Sequence, residues 1–215
     1  VQIVAAQSDT LKYEMSYDAT TLPGYNSRKT DPWGFYNRET PYSCFPLESF
    51  AQRRAVVDST LLKAEMLTRI KYPTGGWTDF EYDSHDFSKV VSQYPFGFTS
   101  TAGRAGGLRI KKITDNAPGQ PPVERTFLYV DTLGASSGIL SGYPVFFAEG
   151  PQPYNSSSNS IDSFLSYLSG IASGESYVYA YFSENKLNQL SDTRGNHVTY
   201  SRVLETMPGN GLTEY

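Results

Sequence analysis

Residues 67–82 read LTRIKYPTGGWTDFEY: an apolar run, a Pro-Thr-Gly-Gly turn and an aromatic run. Alternation on both sides argues for two strands, and the paired glycines supply the left-handed backbone a tight loop needs. Placing Thr74, Gly75 and Gly76 in a three-residue loop predicts six pairings: Pro73 with Trp77, Tyr72 with Thr78, Lys71 with Asp79, Ile70 with Phe80, Arg69 with Glu81 and Thr68 with Tyr82. Apolar then meets aromatic on one face and base meets acid on the other. A slip of one residue would undo both matches, so the stretch is read as a β-hairpin.

The same spacing returns further along. Leu67, Ile70, Gly75, Gly76, Phe80 and Tyr82 define the first copy. Ile110, Ile113, Gly119 and Tyr129 define a second, within LRIKKITDNAPGQPPVERTFLY, and Leu187, Leu190, Gly195 and Tyr200 a third, within LNQLSDTRGNHVTY. The second hairpin is predicted over Leu108–Thr114 and Val123–Asp131, the third over Leu187–Leu190 and His197–Leu204, and Val203–Tyr215 begins a fourth. A hairpin unit written repeatedly points to a built surface or shell rather than to one reactive cleft.

Outward from these units, Val1–Gln7 and Leu11–Tyr17 alternate as strands. Pro23–Pro46 is an ordered irregular excursion centred on DPWGFYNRE. Phe50–Glu65 is either a short helix or the approach to the next strand. Asn155–Ser160 (NSSSNS) is a link, Ile161–Ala172 has helical spacing, and Tyr177–Phe182 is apolar on both faces, as an interior strand would be.

The expected fold is all-β and mainly antiparallel: a twisted sheet of consecutive hairpins, part of a shell, barrel or sandwich, with one or two short helices. At 215 residues it is read as a single β-rich domain. Residues 1–50 hold strands and the aromatic excursion, 51–150 two repeat hairpins, and 151–215 the link, short helix and further hairpins. Tyrosine is abundant, 17 against 2 Trp, which suits half-buried sheet faces.

The formal charge of −4 and the lack of a basic stripe argue against a nucleic-acid partner. The lone cysteine, Cys44, excludes an internal disulfide and a cysteine-rich zinc site and is read as a small buried apolar residue. No run approaches the ~18 apolar residues that cross a bilayer, and VQIVAAQSDT lacks the pattern of a signal peptide. The chain is expected to be a piece of something longer, with any export signal elsewhere.

Four sets of residues could carry chemistry. Asp79, Glu81, Asp83 and His85 recur at alternate strand positions, but such positions lie ~7 Å apart, too far to converge on one cation. A charge-paired solvated face is expected instead, with Asp83 and Asp86 the one exception. His85 and His197 could join a serine and an aspartate, but no G-x-S-x-G elbow occurs. Gly103, Gly106 and Gly107 (GRAGG) lack the lysine and hydroxyl of a phosphate loop and are read as a tight turn. Trp33, Phe35, Tyr36, Tyr42 and Phe45 either plug one end of the sheet or meet a glycan or protein partner. No catalytic, metal-binding or cofactor-binding residue is predicted.

The stretches MLTRIKYPTGGWTDFEYD, GGLRIKKITD and LSDTRGNHVTYSRVLE resemble the YD (Rhs-type) repeat family, most closely the large repeat proteins of Bacteroidetes. DPWGFYN resembles that group's D-x-W-G-[FY]-Y-N block, and NHVTYSRVLE its G-x-x-V-x-Y-S-x-V-x-E block. The resemblance spans Asp31 to the end. It implies a secreted or cell-surface protein whose strands wind into a β-shell that encloses a toxic C-terminal domain or forms the body of an adhesin. The copies here differ in length, and no aspartyl self-cleavage core is recognisable. The expected function is a non-enzymatic structural segment whose partner is the rest of a larger polypeptide. The alternatives are a glycan- or protein-binding module using residues 33–45 and a hydrolase whose site is not visible in the sequence.

Overall fold

Residues 77–116 fold back on themselves as one long ribbon, β5 (Trp77–Gln93) running antiparallel to β6 (Phe96–Asn116). A computed structural model of the chain describes residues 2–4, 10–27, 29–38, 57–93, 96–144, 147–149, 180–182 and 196–215. β6 is four residues longer than β5, 21 against 17, and the excess is absorbed where the register shifts at Glu81/Tyr82, Ser84/His85 and Phe87/Lys89. Extra residues on one strand of a pair bend the ribbon and sharpen its twist.

Other strands pair onto this ribbon in one open sheet. β4 (Leu67–Lys71) pairs with the start of β5 and with β3 (Glu14–Tyr17). β7 (Val123–Leu128) pairs with the end of β6, then β12 (Leu204–Met207) with β7 and β13 (Gly211–Glu214) with β12. β8 (Gly138–Leu140) lies parallel to β5 at Lys89 and Val90 and antiparallel to β11 (Val198–Tyr200). β1 (Gln2–Val4) and β2 (Thr10–Lys12) pair separately.

The architecture is all-β and dominated by antiparallel pairs. Among the described residues the helical content is one 3-10 turn, Leu61–Lys63. The chain divides into two compact units, the second being Tyr143–Gln189, in which β9 (Phe147–Glu149) pairs antiparallel with β10 (Ala180–Phe182).

Three expectations are corrected. In the first hairpin the loop is Pro73-Thr74-Gly75. Tyr72 N donates to Gly76 O at 2.8 Å, Gly75 has φ +88°, and the pairs are Arg69–Asp79, Ile70–Thr78 and Lys71–Trp77. Proline, with its fixed φ, takes the second turn position and Gly75 the left-handed one. Gly76 is needed for a different reason, since a Cβ there would stand 2.9 Å from the Asn116 carbonyl. Moving a loop by one residue shifts each partner by two, so face parity survives: Arg69 still meets an acid, and Ile70 and Phe80 share a face.

Second, Gly103, Gly106 and Gly107 form no turn; they lie inside β6. Gly106 and Gly107 are the two extra residues between the pairs Ser84–Leu108 and His85–Ala105, and Gly107 has φ +94°. A Cβ on Gly103 would stand 2.6 Å from the Phe87 ring.

Third, His197–Leu204 is not one hairpin arm. β11 pairs with β8, the backbone bends at Ser201, whose N–H donates to Ser137 O, and Leu204 starts β12. The β12–β13 hairpin matches the fourth one expected over Val203–Tyr215. Leu187, Leu190, Gly195, Tyr42, Cys44, Phe45, residues 50–56, the Asn155–Ser160 link and the Ile161–Ala172 helix lie outside the described residues.

The buried cluster is small: Phe87, Ala105, Leu140 and Val198, with Trp33, Val90 and Tyr200 packed against it. It sits where β5, β6, β8 and β11 meet. A glycine series tests which contacts hold the strands together. Gly24 has nothing near its Cβ position, Gly119 has open space but φ +73°, and Gly107 combines φ +94° with His85 at 3.0 Å. Chemical denaturation of the alanine variants is expected to give no loss at Gly24, about 1 kcal/mol at Gly119 and at least about 2 kcal/mol at Gly107.

Candidate functional site

The turn that carries Trp33 and Phe35 is built by one aspartate. Asp31 Oδ1 accepts the N–H groups of Trp33 (3.0 Å) and Phe35 (2.9 Å), while Asp31 N donates to Phe35 O (2.7 Å). Gly34, at φ +95°, donates to Asp31 O, and Thr30 bridges to Tyr36. A short acceptor side chain bonding forward along its own backbone is what favours aspartate at such turns.

The same turn occurs a second time at Asp131-Thr132-Leu133-Gly134-Ala135. Asp131 Oδ1 takes Leu133 N and Ala135 N at 2.9 Å each, Gly134 has φ +84°, and Val130 bridges to Ser136. The D-x-x-G signal at 31–34 and 131–134 was present in the sequence and could have disclosed both turns.

The first turn is seated on the glycine bulge of β6. A Cβ on Gly106 would collide with Asp31 Oδ2 and lie 2.7 Å from Phe35; one on Gly107 would lie 3.2 Å from Phe35. Asp31 is 2% exposed, and its Oδ2 has no hydrogen-bond partner among the described residues. Burial pushes the Asp31 carboxyl up to about 6, against the pull of the backbone N–H groups of Phe35, Trp33 and Gly34.

Beside this turn the fold gathers both histidines of the chain. His85, on β5, and His197, just before β11, approach edge-to-face with ring centroids 5.6 Å apart. Trp33 stacks on His197 at 5.9 Å, and Tyr200 stacks on His85 at 5.9 Å. His197 Nε2 lies 2.7 Å from the Gly106 carbonyl, which only accepts, so that nitrogen carries the proton.

Arg109 organises the far side. Its two terminal nitrogens donate to the two carboxylate oxygens of Asp86 at 2.7 Å each, and Nη1 also donates to Tyr200 Oη at 3.0 Å. The guanidinium lies over the Tyr129 ring at 4.5 Å and the Tyr200 ring at 5.2 Å. Tyr200 Oη, occupied by Arg109 as acceptor, is placed to donate to His85 Nδ1, 2.9 Å away, which puts the His85 proton on Nε2. Burial pushes the Tyr200 phenol up to about 12 and His85 down to about 4, the positive charges of His197 and Arg109 adding to the latter. Burial also raises Asp86, but hydrogen bonds from Arg109 and Ser136 outweigh it and hold the carboxyl below its ordinary range.

A cavity of about 480 Å³ opens next to the histidines, walled by Phe35, Tyr36, Leu61, Leu62, His85 and His197 among others. Of the expected aromatic set, Phe35 and Tyr36 therefore line a recess while Trp33 packs on the core. Among the described residues no group of three or more His, Cys, Asp or Glu is placed to hold a metal. Asp79 is bound by Arg69, and Asp83 and Asp86 face Arg109, at 3.6 and 2.7 Å. Lys71 reaches Glu14 at 3.6 Å, its strand partner being Trp77. The hairpin-closing tyrosines bind backbone: Tyr82 Oη donates to Leu67 O at 2.9 Å and Tyr129 Oη to Ile110 O at 2.7 Å, each the first apolar residue of its own copy.

Opposed titrations test this burial. His85 is lowered on folding from 6.5 to about 4, so on acidification the unfolded chain protonates first and stability is lost through that window, by on the order of 3 kcal/mol. Asp31 is raised from 3.8 to about 6, so its contribution runs the other way and stability is lost as pH climbs between those values. In urea titrations from pH 7 to pH 4, His85→Gln is expected to lose less stability than wild type and Asp31→Asn to lose more. Slopes equal to wild type in both variants would refute the burial of both groups. Comparison of the chain with protein-family models, curated proteins and solved structures finds no match in any of the three.

Proposed function

We propose that this chain is a non-catalytic structural segment of an exported or cell-surface repeat protein of the YD (Rhs-type) kind, a length of β-scaffold or shell wall. The observation that supports it best is the open sheet in which the successive strands β5, β6 and β7 lie side by side and the β12–β13 hairpin extends it from β7. Tyr82 and Tyr129 each clamp the far end of their own unit to its first strand. A polar network around Arg109 ties β5, β6 and β11 together.

The sheet also has room to grow. Val203 and Tyr215 exchange both backbone hydrogen bonds, at 3.0 and 2.9 Å. Antiparallel alternation then turns the N–H and C=O of Leu212 and Glu214 away from β12. Leu212 is 57% exposed on this edge. Among the described residues this edge has no further partner, and such an edge is a template for another strand. In the intact polypeptide the amides of Leu212 and Glu214 are expected to exchange with solvent at least about a hundredfold more slowly than in the isolated chain. Equal rates in both settings would remove the scaffold role.

A second reading is favoured by the recess beside the histidines: a glycan- or protein-binding module in which Phe35 and Tyr36 supply the contact surface. No charged residue is among the described residues that line it, which suits an uncharged ligand such as a neutral sugar. Screening against neutral glycans should then give hits that Phe35→Ala weakens at least about tenfold, since aromatic anchors dominate such contacts. Hits unaffected by the substitution, or none, would discard it.

A further inference from the structure

The distal end of the β5–β6 ribbon has a face that neither the scaffold nor the recess uses. Register is unbroken from Lys89–Ser100 through Val91–Phe98 to Gln93–Phe96, so Lys89, Val91, Phe98 and Phe96 project from one side. Phe96 is 85% exposed and Phe98 62%. Val90, which points the other way, packs against the buried cluster. The ribbon is thus anchored by one face and presents bare aromatic rings on the other, at a tip rather than scattered singly over the surface.

Charge is distributed to match. In a chain with 22 acidic and 18 basic residues, the 28 positions between Asp86 and Asp115 contain no Asp or Glu and five Lys or Arg. Arg109 and Lys112 are neutralised by Asp86 and Glu124. Lys89 and Arg104 make no ion pair among the described residues, and both are exposed.

We propose that this tip is a peripheral membrane contact: Phe96 and Phe98 enter the headgroup region of an anionic leaflet while Lys89, on the same face, engages lipid phosphates. Two signals acting together, inserted apolar rings and basic side chains that reach back to the headgroups, are what reversible interfacial binding requires. A nucleic acid would call for a longer basic row with rings spaced for base stacking, whereas here two phenylalanines lead and the ammonium group follows on the same face.

Sedimentation of the 215-residue chain with phosphatidylcholine vesicles and with phosphatidylcholine–phosphatidylglycerol vesicles tests this. Binding is expected on the anionic vesicles only and should fall with added salt. The double variant Phe96→Ser/Phe98→Ser is expected to reduce partitioning at least about tenfold, and Lys89→Glu by about fivefold or more. All three positions are exposed, so thermal melts should match wild type, and a Phe98→Trp variant should show a blue-shifted emission on anionic vesicles alone. Absence of binding to anionic vesicles, or undiminished binding by the double variant, overturns the proposal. So does self-association of the wild-type chain that the double variant abolishes, which would assign the face to a second copy.

Discussion

The unequal length of the two central strands is the constraint on which the rest of the molecule depends. Because β6 carries more residues than β5, it must bulge, and the largest bulge falls at Gly106-Gly107. Two residues without side chains at that point leave a shallow seat in an otherwise continuous strand. The Asp31 turn fills it, bringing Phe35 and Trp33 over His197, whose Nε2 is held by the carbonyl of Gly106 itself. Ser84 and Phe87, on either side of the histidine that faces the bulge, are both buried. Contacts between segments that are remote in sequence thus trace back to a mismatch inside a single hairpin.

Polarity in the interior is resolved by pairing. Arg109 is largely buried yet has a carboxylate at its fork, a phenol at its edge and two tyrosine faces against its plane. A guanidinium suits that environment, being planar, weakly hydrated and able to stack while it hydrogen-bonds. The histidines contribute as hydrogen-bonded rings: one is tied to a phenol, the other to a carbonyl. Ion pairs with a buried member add little net stability over an apolar replacement but are costly to break singly.

The sequence made the all-β class and the first hairpin legible because their signals are local: alternation, a Pro-Thr-Gly-Gly turn, aromatic partners. Even there, the loop position depended on which glycine serves the backbone and which serves a neighbouring strand, and Gly76 is answerable to Asn116, forty residues on. GRAGG misled for the same reason, since glycine marks a turn and a close approach with one letter. The meeting of His85 with His197 could not be read at all, as it needs the parallel placement of β8 beside β5 and of β11 beyond it. Asp31 was quoted only as part of a motif; its burial follows from the seat on β6.

The duplicated Asp-x-x-Gly turn carries a consequence of its own. The side-chain hydrogen bonds that shape it all come from its own aspartate, so the tip side chain is no part of the frame holding it. In one copy the tip is Trp33, packed inward; in the other it is Leu133, 91% exposed. Such a loop behaves as an interchangeable fitting: mutation can retune what it touches, or leave it touching nothing, without the backbone registering the change. A lineage that multiplies this module gains a set of positions free to diversify while the sheet that bears them keeps its shape.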